Sequence, residues 1–340
     1  MRCLATLLVL LLTVVGCGRA ADPPPSAAGE PGDTGYPLAV QNCGRDVVVE
    51  SPPQRAVSLN QSSTEILLSL GLADRMAGTA TWTDPVRADL AAANETVPRL
   101  ADNKPSLETV LGADPDLVTA SFVGTLGSGG VAEREQFHQL GVPTYLAPSD
   151  CEGKVVTSED GARTQSLTMD LIYREITDLA TVFDVPQRGD DLVASLQQRL
   201  DAVHPADSGV TAAFWFSDIR TPYLAGCCGS PGIIAAETGL RNVFDDTHDE
   251  WPQVSWETVA DRDPDVLVLA DLSRRTIDGD ALESKIEFLE SNPVTSQLSA
   301  VRAQRYIVVN GADLNPSIRT VDGVEKVADG LTQFGLASPR

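Results

Sequence analysis

The stretch SLETVLGADPDLV, residues 106–118, returns as SWETVADRDPDVL at residues 255–267. In each copy a serine stands where a helix N-cap belongs, and a glutamate lies in the first helical turn, where negative charge suits the helix dipole. The D-P-D triplet then ends the helix and leads into a strand, because a residue before proline disfavours the helical conformation. The repeat therefore predicts one helix-to-strand connection that is used once in each half of the chain.

Short apolar segments that alternate with helical patterns surround both copies. Such alternation is typical of a parallel sheet covered by helices on both faces. The predicted strands are RAVSLN (55–60), MAGTA (76–80), DLVTASF (116–122), PTYLAP (143–148), TAAFWFS (211–217), DVLVLAD (265–271) and RYIVVN (305–310). The fold class is therefore α/β, with two Rossmann-like lobes built on central parallel-type sheets.

Two local signals precede the first copy of the repeat. Residues 36–50 alternate on either side of Asn42 to Arg45, which predicts a β-hairpin. After the first predicted strand, the capping-box pattern Ser62-x-x-Glu65 indicates the start of a helix that ends near Gly71.

Two amphipathic patterns separate the halves of the chain. Apolar residues keep helical spacing from Leu167 to Phe183 and again from Leu192 to Val203, with Pro186 between the two runs. We expect these helices, including a long interlobe helix, to join the lobes and to limit their relative motion. The predicted organisation is a signal peptide (1–16), a flexible tether (17–35), an N-terminal lobe (36–163), bridging helices (164–205) and a C-terminal lobe (206–340).

The charge of the chain excludes one class of partner. Its 340 residues include 25 Lys and Arg against 48 Asp and Glu, for a formal net charge of −23. Nucleic acid binding requires basic surface along the phosphate backbone, so no nucleic acid partner is expected. The 42% hydrophobic content is that of a globular protein with apolar cores.

The first residues, MRCLATLLVLLLTVVGCGRA, predict export. Their apolar run is shorter than the roughly 20 residues that span a bilayer. Val14-Val15-Gly16-Cys17 resembles the bacterial lipobox, in which the cysteine receives a lipid, palmitate included, and becomes the mature N-terminus. Residues 18–35 are poor in large apolar side chains and rich in Pro, Gly and Ala, as expected of a tether. The folded part is therefore expected at the outer face of the cytoplasmic membrane, held by the lipid on Cys17.

Four cysteines remain once Cys3 is removed with the signal peptide and Cys17 carries the lipid. In an oxidising compartment these four permit three disulfide pairings. We favour Cys43 with Cys151, and Cys227 with its neighbour Cys228. The adjacent pair could instead stay reduced or form bridges elsewhere.

The lipid anchor, the hairpin, the two lobes, the helical bridge and the repeated S-x-E-T-V-x-x-x-D-P-D together resemble the substrate-binding lipoproteins of bacterial ABC importers. The resemblance is to the rigid-helix (class III) family that carries ferric siderophores, haem or vitamin B12. It covers residues 36–335 and is strongest at EWPQVSWETV, residues 250–259. In that family one glutamate on each lobe contacts arginines of the two transmembrane permease subunits. The resemblance implies this role for Glu108 and Glu257, and implies a monomer.

Ligand contacts are expected in loops that follow the strands, in a cleft between the lobes. Trp251 and Tyr223 match ligand-contacting aromatic positions of the vitamin B12 binders, and aromatic faces suit a large chelate. Cations would bind an anionic ferric siderophore. The predicted contacts are Trp82, Phe122, Arg220, Tyr223, Trp251, Asp313 and Arg319. The expected ligand is a ferric-siderophore-type iron chelate, with a corrinoid or haem as the alternative, and no intrinsic cofactor is expected.

Enzymatic and direct metal-binding functions have weaker support. Residues 127–132, GSGGVA, match G-x-G-x-x-A, and Asp150 follows at the distance that a dinucleotide site requires. An exported nucleotide-dependent enzyme is therefore an alternative, although nicotinamide cofactors are scarce outside cells. His138, His204 and His248 are far apart in sequence, so no metal site is expected. Hydrolase motifs such as G-x-S-x-G are absent from the sequence, and the protein is not expected to be an enzyme.

Overall fold

The computed structural model describes residues 34–82, 84–155, 160–207, 209–272 and 279–338. The predicted signal peptide, Cys17 and the tether up to residue 33 lie outside the described residues.

The order of elements within these residues follows the predicted alternation. The strands are β1 (Leu38–Asn42), β2 (Arg45–Val49), β3 (Ala56–Leu59), β4 (Met76–Ala80), β5 (Arg99–Ala101), β6 (Leu117–Ala120), β7 (Thr144–Leu146), β8 (Lys154–Val155), β9 (Ala162–Arg163), β10 (Thr211–Ser217), β11 (Tyr223–Leu224), β12 (Arg241–Asn242), β13 (Val266–Asp271) and β14 (Tyr306–Asn310). The α-helices are α1 (Gln61–Ser69), α2 (Ala91–Asn94), α3 (Leu107–Gly112), α4 (Arg134–Gln139), α5 (Pro148–Cys151), α6 (Met169–Val182), α7 (Pro186–Asp201), α8 (Ser230–Thr238), α9 (Trp256–Arg262), α10 (Leu282–Ser291), α11 (Ser299–Arg302) and α12 (Arg319–Gln333).

Each half of the chain builds one sheet. In the first, the strands lie in the order β5-β4-β3-β6-β7 and all neighbours are parallel. In the second, the order is β11-β10-β13-β14, with β12 also paired to β10, and only β11 is antiparallel among these described strands. The α/β prediction of two lobes with parallel-type sheets is confirmed.

The hairpin of β1 and β2 is also present. Its two turn residues, Cys43 and Gly44, have φ values of 52° and 74°. A two-residue hairpin turn of type I′ needs positive φ at both positions, which glycine adopts freely. The turn therefore places the Cys43 side chain at the tip of the hairpin.

The D-P-D triplets have the same structure in both lobes. Their first aspartates, Asp114 and Asp263, have positive φ and end α3 and α9. The last aspartates fix the neighbouring strand: Asp116 accepts hydrogen bonds from the backbone N–H of Arg55 just before β3, and Asp265 from that of Thr211 in β10. The repeat is thus a helix terminus and a strand anchor in one motif.

Helices α6 and α7 connect the two sheets and pack against each other. Gly189 of α7 makes this close approach possible, because a Cβ there would lie 2.5 Å from the Cβ of Ala180 on α6. The break between the helices falls before Pro186, which occupies the first position of α7. The predicted interruption at this proline is therefore present.

One apolar cluster contains residues from both halves of the chain. Many of its buried members come from β2, α1, α6 and α7, but Ile233, Ile318 and Val321 come from the second half and are at most 6% exposed. The two lobes therefore share an apolar interior as well as a covalent connection.

The capping box predicted at Ser62 and Glu65 is wrong. Helix α1 begins at Gln61, its N-cap is Asn60, and the side chains of Ser62 and Glu65 are buried within the helix. Asn60 instead accepts hydrogen bonds from the Ser121 N–H and the Thr125 hydroxyl. Glu65 is therefore available for an ion pair with the other lobe.

Candidate functional site

A cavity of about 420 Å³ lies between the two lobes. Phe122 follows β6, Ser217 ends β10, and Leu314 to Pro316 follow β14, so several strands of both sheets open into it at their carboxyl ends. This is where open α/β sheets bind ligands. Its volume falls in the range of small-molecule sites, roughly 300–1,000 Å³.

A larger hollow of about 620 Å³ lies elsewhere, lined by β2, α4 and the residues before β7. Its sheet residues, Gly141 to Thr144, precede or begin β7 and so lie towards the amino end of that strand. Because ligands of open α/β sheets bind at the opposite end, the interlobe cavity is the better candidate site.

Four aromatic side chains line the interlobe cavity: Phe122, Phe216, Tyr223 and Trp251. Trp251 packs on Phe216, with ring centroids 5.1 Å apart and planes tilted by 44°. Each of the four is partly exposed. Phe216 was not predicted from the sequence, because its position in an apolar strand did not distinguish it from Trp215, which is fully buried in the core.

A cluster of charged groups lies beside these rings. The Lys154 ammonium is 2.6 Å from Asp150 Oδ1 and 2.9 Å from Glu250 Oε2, and the Arg163 guanidinium also binds Glu250. Burial raises the pKa of Asp150, against the effect of Lys154. Burial lowers the pKa of Lys154, but the two carboxylates outweigh burial and raise it overall. Both cations are therefore neutralised by protein groups.

The lining carries an excess of negative charge. Of the lining residues that the structure describes, Asp150, Asp160 and Glu250 are acidic and Lys154 is the one cation. This acidic character was not visible from the sequence, because Asp150 and Glu250 belong to different lobes and lie 100 positions apart.

The β8–β9 hairpin connects the lobes at this edge of the cavity. The Arg163 N–H donates to the His248 carbonyl at 2.9 Å, and the Glu250 N–H donates to the Gly161 carbonyl at 3.0 Å. Together with the ion pairs of Lys154 and Arg163, these bonds attach the first lobe to the loop that carries Trp251.

Two disulfides lie near the same region. Cys43 is bonded to Cys151, three residues before β8, with Cα atoms 5.7 Å apart. Cys227 is bonded to Cys228, with Cα atoms 3.7 Å apart. These are the pairings that the sequence analysis favours. The first bond links the tip of the β1–β2 hairpin to the segment that leads into β8.

Arg319 and Asp313 do not line the cavity. The Arg319 guanidinium donates to both carboxylate oxygens of Glu65 and to the Pro85 carbonyl. Asp313 is fully buried, accepts from the Asn310 N–H, and pairs with Lys326 and Arg319. The ligand contacts predicted for these two residues are therefore corrected to structural ion pairs, since their charges are already matched inside the protein.

Arg220 and Trp82 also lie outside the residues that line the cavity. Arg220 is exposed in the loop after β10, where its backbone N–H donates to Asp218. Trp82 lines a separate hollow near β5, with the Arg99 guanidinium 3.4 Å from its ring centroid and its indole N–H donating to Thr79. Of the seven predicted contacts, the cavity brings together Phe122, Tyr223 and Trp251.

The glycine motif at 127–132 has a structural explanation. A Cβ on Gly130 would overlap the carbonyl oxygens of Gly124 and Thr125, so the chain folds on itself here. Asp150, the expected ribose ligand, accepts a hydrogen bond from the Val123 N–H at 2.6 Å. These glycines serve a compact loop, which removes the geometric basis for a dinucleotide site.

Glu108 and Glu257 occupy equivalent places on the two lobes. Each follows a serine N-cap whose hydroxyl accepts a backbone N–H, from Thr109 at 3.1 Å and from Thr258 at 3.2 Å. Both glutamates are exposed. A backbone N–H and the Ser106 hydroxyl lower the pKa of Glu108. The repeat thus presents an equivalent exposed glutamate on the surface of each lobe.

A sequence model described as periplasmic binding protein matches residues 57–311 of the chain. The chain belongs to the periplasmic binding protein family. This periplasmic binding protein is 22% identical to the uncharacterized ABC transporter substrate-binding lipoprotein YvrC of Bacillus subtilis, over 96% of this chain and 95% of that protein. It is 24% identical to the vitamin B12-binding protein of Vibrio parahaemolyticus, over 83% and 90%.

A solved structure has the same fold. The periplasmic binding protein superposes on a protein described as an ABC-type Fe3+-hydroxamate transport system of Saccharomonospora viridis with a TM-score of 0.70. The match has 26% identity and covers 87% of this chain and 99% of that one. Among its described residues, this periplasmic binding protein has no helix both long and apolar enough to span a bilayer. It is an extracytoplasmic substrate-binding protein of an ABC importer and not an enzyme.

Proposed function

We propose that this binding protein captures a ferric chelate of the hydroxamate type, without net negative charge, and delivers it to the permease subunits of its importer. The observation that carries this proposal is the acidic lining of the interlobe cavity, where Lys154 is already paired with Asp150 and Glu250. A catecholate or carboxylate chelate is anionic, and the one cation among the described lining residues, Lys154, is already paired with protein carboxylates. A ferric trihydroxamate is neutral or cationic, and its aliphatic skeleton suits the aromatic side chains.

This proposal narrows the expected ligand from ferric siderophores in general to those without net negative charge. Arg220 and Arg319 were the reason to expect an anionic siderophore, and both lie away from the cavity lining. Iron would enter only as part of the chelate, so the protein itself supplies no iron ligand in this proposal. The similar Saccharomonospora viridis protein is described by its Fe3+-hydroxamate transport system, which supports the same class.

A corrinoid is the second candidate. The Vibrio parahaemolyticus relative is named for vitamin B12, and cobalamins, cyanocobalamin included, also carry no net negative charge. A corrinoid is substantially larger than a trihydroxamate chelate, however, and the cavity of about 420 Å³ suits the smaller ligand better.

Competing ligands distinguish these proposals. The purified protein is titrated with ferrioxamine B, a ferric tricatecholate, cyanocobalamin and haemin while tryptophan fluorescence and calorimetric heat are recorded. We expect saturable binding of the ferric hydroxamate and none of the tricatecholate. Tighter binding of cyanocobalamin would replace the iron chelate by the corrinoid, and tight binding of the tricatecholate would contradict the charge argument.

The anchor and the docking contacts belong to the same proposal. We place the protein on the outer face of the membrane through a lipid on Cys17, supported by its V-V-G-C sequence and by the name of the Bacillus subtilis relative. Glu108 and Glu257 would bind basic side chains of the two permease subunits, because they carry equivalent exposed charges on the two lobes.

A further inference from the structure

The fold brings His248 beside the adjacent cysteines Cys227 and Cys228. Among the residues that the structure describes, these three form the one group of His, Cys, Asp and Glu side chains with the spacing of metal ligands. One ligand atom from each lies within 4.8 Å of the other two. His248 is far from the other histidines in sequence, and the two cysteines were predicted to form a disulfide, with reduced thiols or other bridges as the alternative.

The backbone around the cysteines is held by groups other than the disulfide. The Cys227 N–H donates to the Thr247 carbonyl at 3.0 Å, and the Cys228 carbonyl accepts from the Leu167 N–H at 2.9 Å. A Cβ on Gly226 would overlap the Asp249 carbonyl, so this loop packs directly on the segment that carries His248. These backbone contacts hold the loop of Cys227 and Cys228 beside the His248 segment independently of the sulfur–sulfur bond.

The imidazole is oriented by a backbone carbonyl. Its Nδ1 lies 2.8 Å from the Arg163 carbonyl oxygen and 3.7 Å from the Cys228 sulfur. A carbonyl oxygen can only accept, so Nδ1 carries the proton in this bond and Nε2 keeps a free lone pair. Histidines that bind metals commonly donate their other ring N–H to a carbonyl in this way.

We propose that Cys227, Cys228 and His248 form a redox-gated site for a thiophilic cation such as Zn²⁺ or Cu⁺. In the oxidised protein the sulfurs are bonded to each other and cannot act as thiolates. A dithiol reductant supplies two electrons and two protons: the sulfur–sulfur bond breaks, two cysteine thiols form, and the reductant leaves as its own disulfide. Metal binding then releases the two thiol protons, giving a site of two thiolates and one imidazole.

The donor set selects the kind of cation. Two thiolates and one imidazole suit Zn²⁺ and Cu⁺ and disfavour Mg²⁺ and Ca²⁺, which take oxygen ligands. Two thiolates also neutralise the charge of one divalent ion. Because His248 and Cys227 are not buried, an ion can enter from solvent. The site is separate from the aromatic cavity, although Gly229 and Ser230, next in the chain, line that cavity.

Cobalt(II) is a spectroscopic probe for the site. The purified protein is reduced, freed of reductant under anaerobic conditions, and titrated with Co²⁺ and then Zn²⁺. We expect one equivalent of Co²⁺ to produce a thiolate-to-cobalt charge-transfer band, which Zn²⁺ abolishes, and the oxidised protein to give no band. Replacing His248 by Gln should weaken Zn²⁺ binding by about 10- to 100-fold while leaving the far-ultraviolet dichroism unchanged.

Two double variants identify the sulfurs. Cys227→Ser with Cys228→Ser should lose the band, although Cys43 and Cys151 are present and reduced. Cys43→Ser with Cys151→Ser should keep it, and if that variant does not fold, the first variant and the His248→Gln titration still decide the question. An unchanged band in Cys227→Ser with Cys228→Ser, or equal binding by the oxidised protein, would overturn the proposal.

Discussion

Glu65 of α1 and Arg319 of α12 form a bidentate ion pair between the lobes. Nε and Nη2 of the arginine each lie 2.7 Å from a carboxylate oxygen. The side chains are 0% and 7% exposed and lie 254 positions apart in the chain. Removing one partner of a buried ion pair is costly: Glu65 alone would be an unmatched buried charge, and Arg319 alone would keep only its longer pair with Asp313, at 3.6 Å.

We therefore expect Glu65→Gln to lower the free energy of unfolding by about 3–5 kcal/mol. Replacing both residues by Met should cost less than Glu65→Gln alone, since neither Glu65 nor Arg319 then remains buried without the other, and Asp313 keeps its pair with Lys326. Guanidinium denaturation measures both. The control is Asp246→Asn, which breaks the more exposed pair with Arg262 and should cost much less, because water screens that pair. Equal losses for Glu65→Gln and the control would contradict a role for burial.

The carboxyl of Glu175 in α6 predicts a pH dependence. Burial, with a contribution from Asp178, raises its pKa from 4.5 to about 8, and both its oxygens are buried without a hydrogen-bond partner. Between these two values the folded protein keeps the proton and the unfolded chain loses it, so rising pH favours unfolding. The stabilising contribution is complete below pH 4.5, declines as pH rises to about 8, and declines no further above that.

Glu175→Gln tests this pH dependence, because the amide has a similar shape and does not titrate. Denaturant unfolding at several pH values between 5 and 9 should show a flatter pH dependence, by up to about 1.4 kcal/mol per pH unit. The same slope in both proteins would mean that Glu175 does not hold a proton in the folded state.

The repeated glutamates predict a transport defect without a binding defect. Glu108→Lys and Glu257→Lys should each reduce ligand uptake into cells, and the double variant should reduce it further, because a lysine would repel the basic side chains proposed on the permease subunits. Ligand affinity in solution should stay within about twofold of the original, since both residues are at the surface and outside the cavity lining.

Glu283→Lys is the matched control for this pair. Glu283 is also exposed and lies in the first turn of a helix, α10, but it is not part of the repeat. Its reversal should leave uptake normal. Normal uptake by Glu108→Lys with Glu257→Lys would leave the repeat as a structural motif alone.

The contribution of the cavity aromatics to ligand binding can be measured by comparing Trp251 with Trp82, a tryptophan outside the cavity. Trp251→Ala should weaken ligand binding by about 10- to 100-fold, because a large aromatic contact surface is lost from the site. Trp82→Ala should change affinity little, since Trp82 lies in the separate hollow beside Arg99. Calorimetric titration of both variants with ferrioxamine B measures the difference, and the reverse order would relocate the site.

If Cys17 carries the lipid anchor, Cys17→Ser should release the protein from the membrane. Without the thiol no lipid can be attached, so the variant should appear in the medium of a Gram-positive host or in the soluble periplasm of a Gram-negative one. Cell fractionation with immunodetection measures this. Retention in the membrane fraction would show that a different anchor operates.

Local patterns predicted the fold well because each depends on near neighbours. The serine N-caps of α3 and α9, the turn at Cys43-Gly44 and the break at Pro186 are all set by a few adjacent residues. Ser62 and Glu65 are the exception. Their spacing fits a capping box, but Glu65 forms an ion pair with Arg319 instead. That contact joins residues 254 positions apart, so no local pattern contains it.

The site was less predictable for the same reason. Trp251 and Tyr223 were predicted by resemblance, and Phe122 by its place after a strand; all three line the cavity. Asp150, Lys154 and Glu250 were missed as a group, because their effect arises from two lobes meeting across the cavity. Arg319 lies after a strand, as a ligand contact would. Its guanidinium pairs with the buried carboxylates of Glu65 and Asp313, and the sequence alone does not show these pairs.

The apolar interior shared by both halves has a practical consequence for engineering. A fragment ending at residue 205 would lack Ile233, Ile318 and Val321, and would open that interior to water, so neither half is a natural unit for separate expression. Reporter domains for a chelate sensor belong at the chain termini or in exposed loops. A two-fragment complementation assay, by contrast, would have a ready-made apolar surface to drive reassembly.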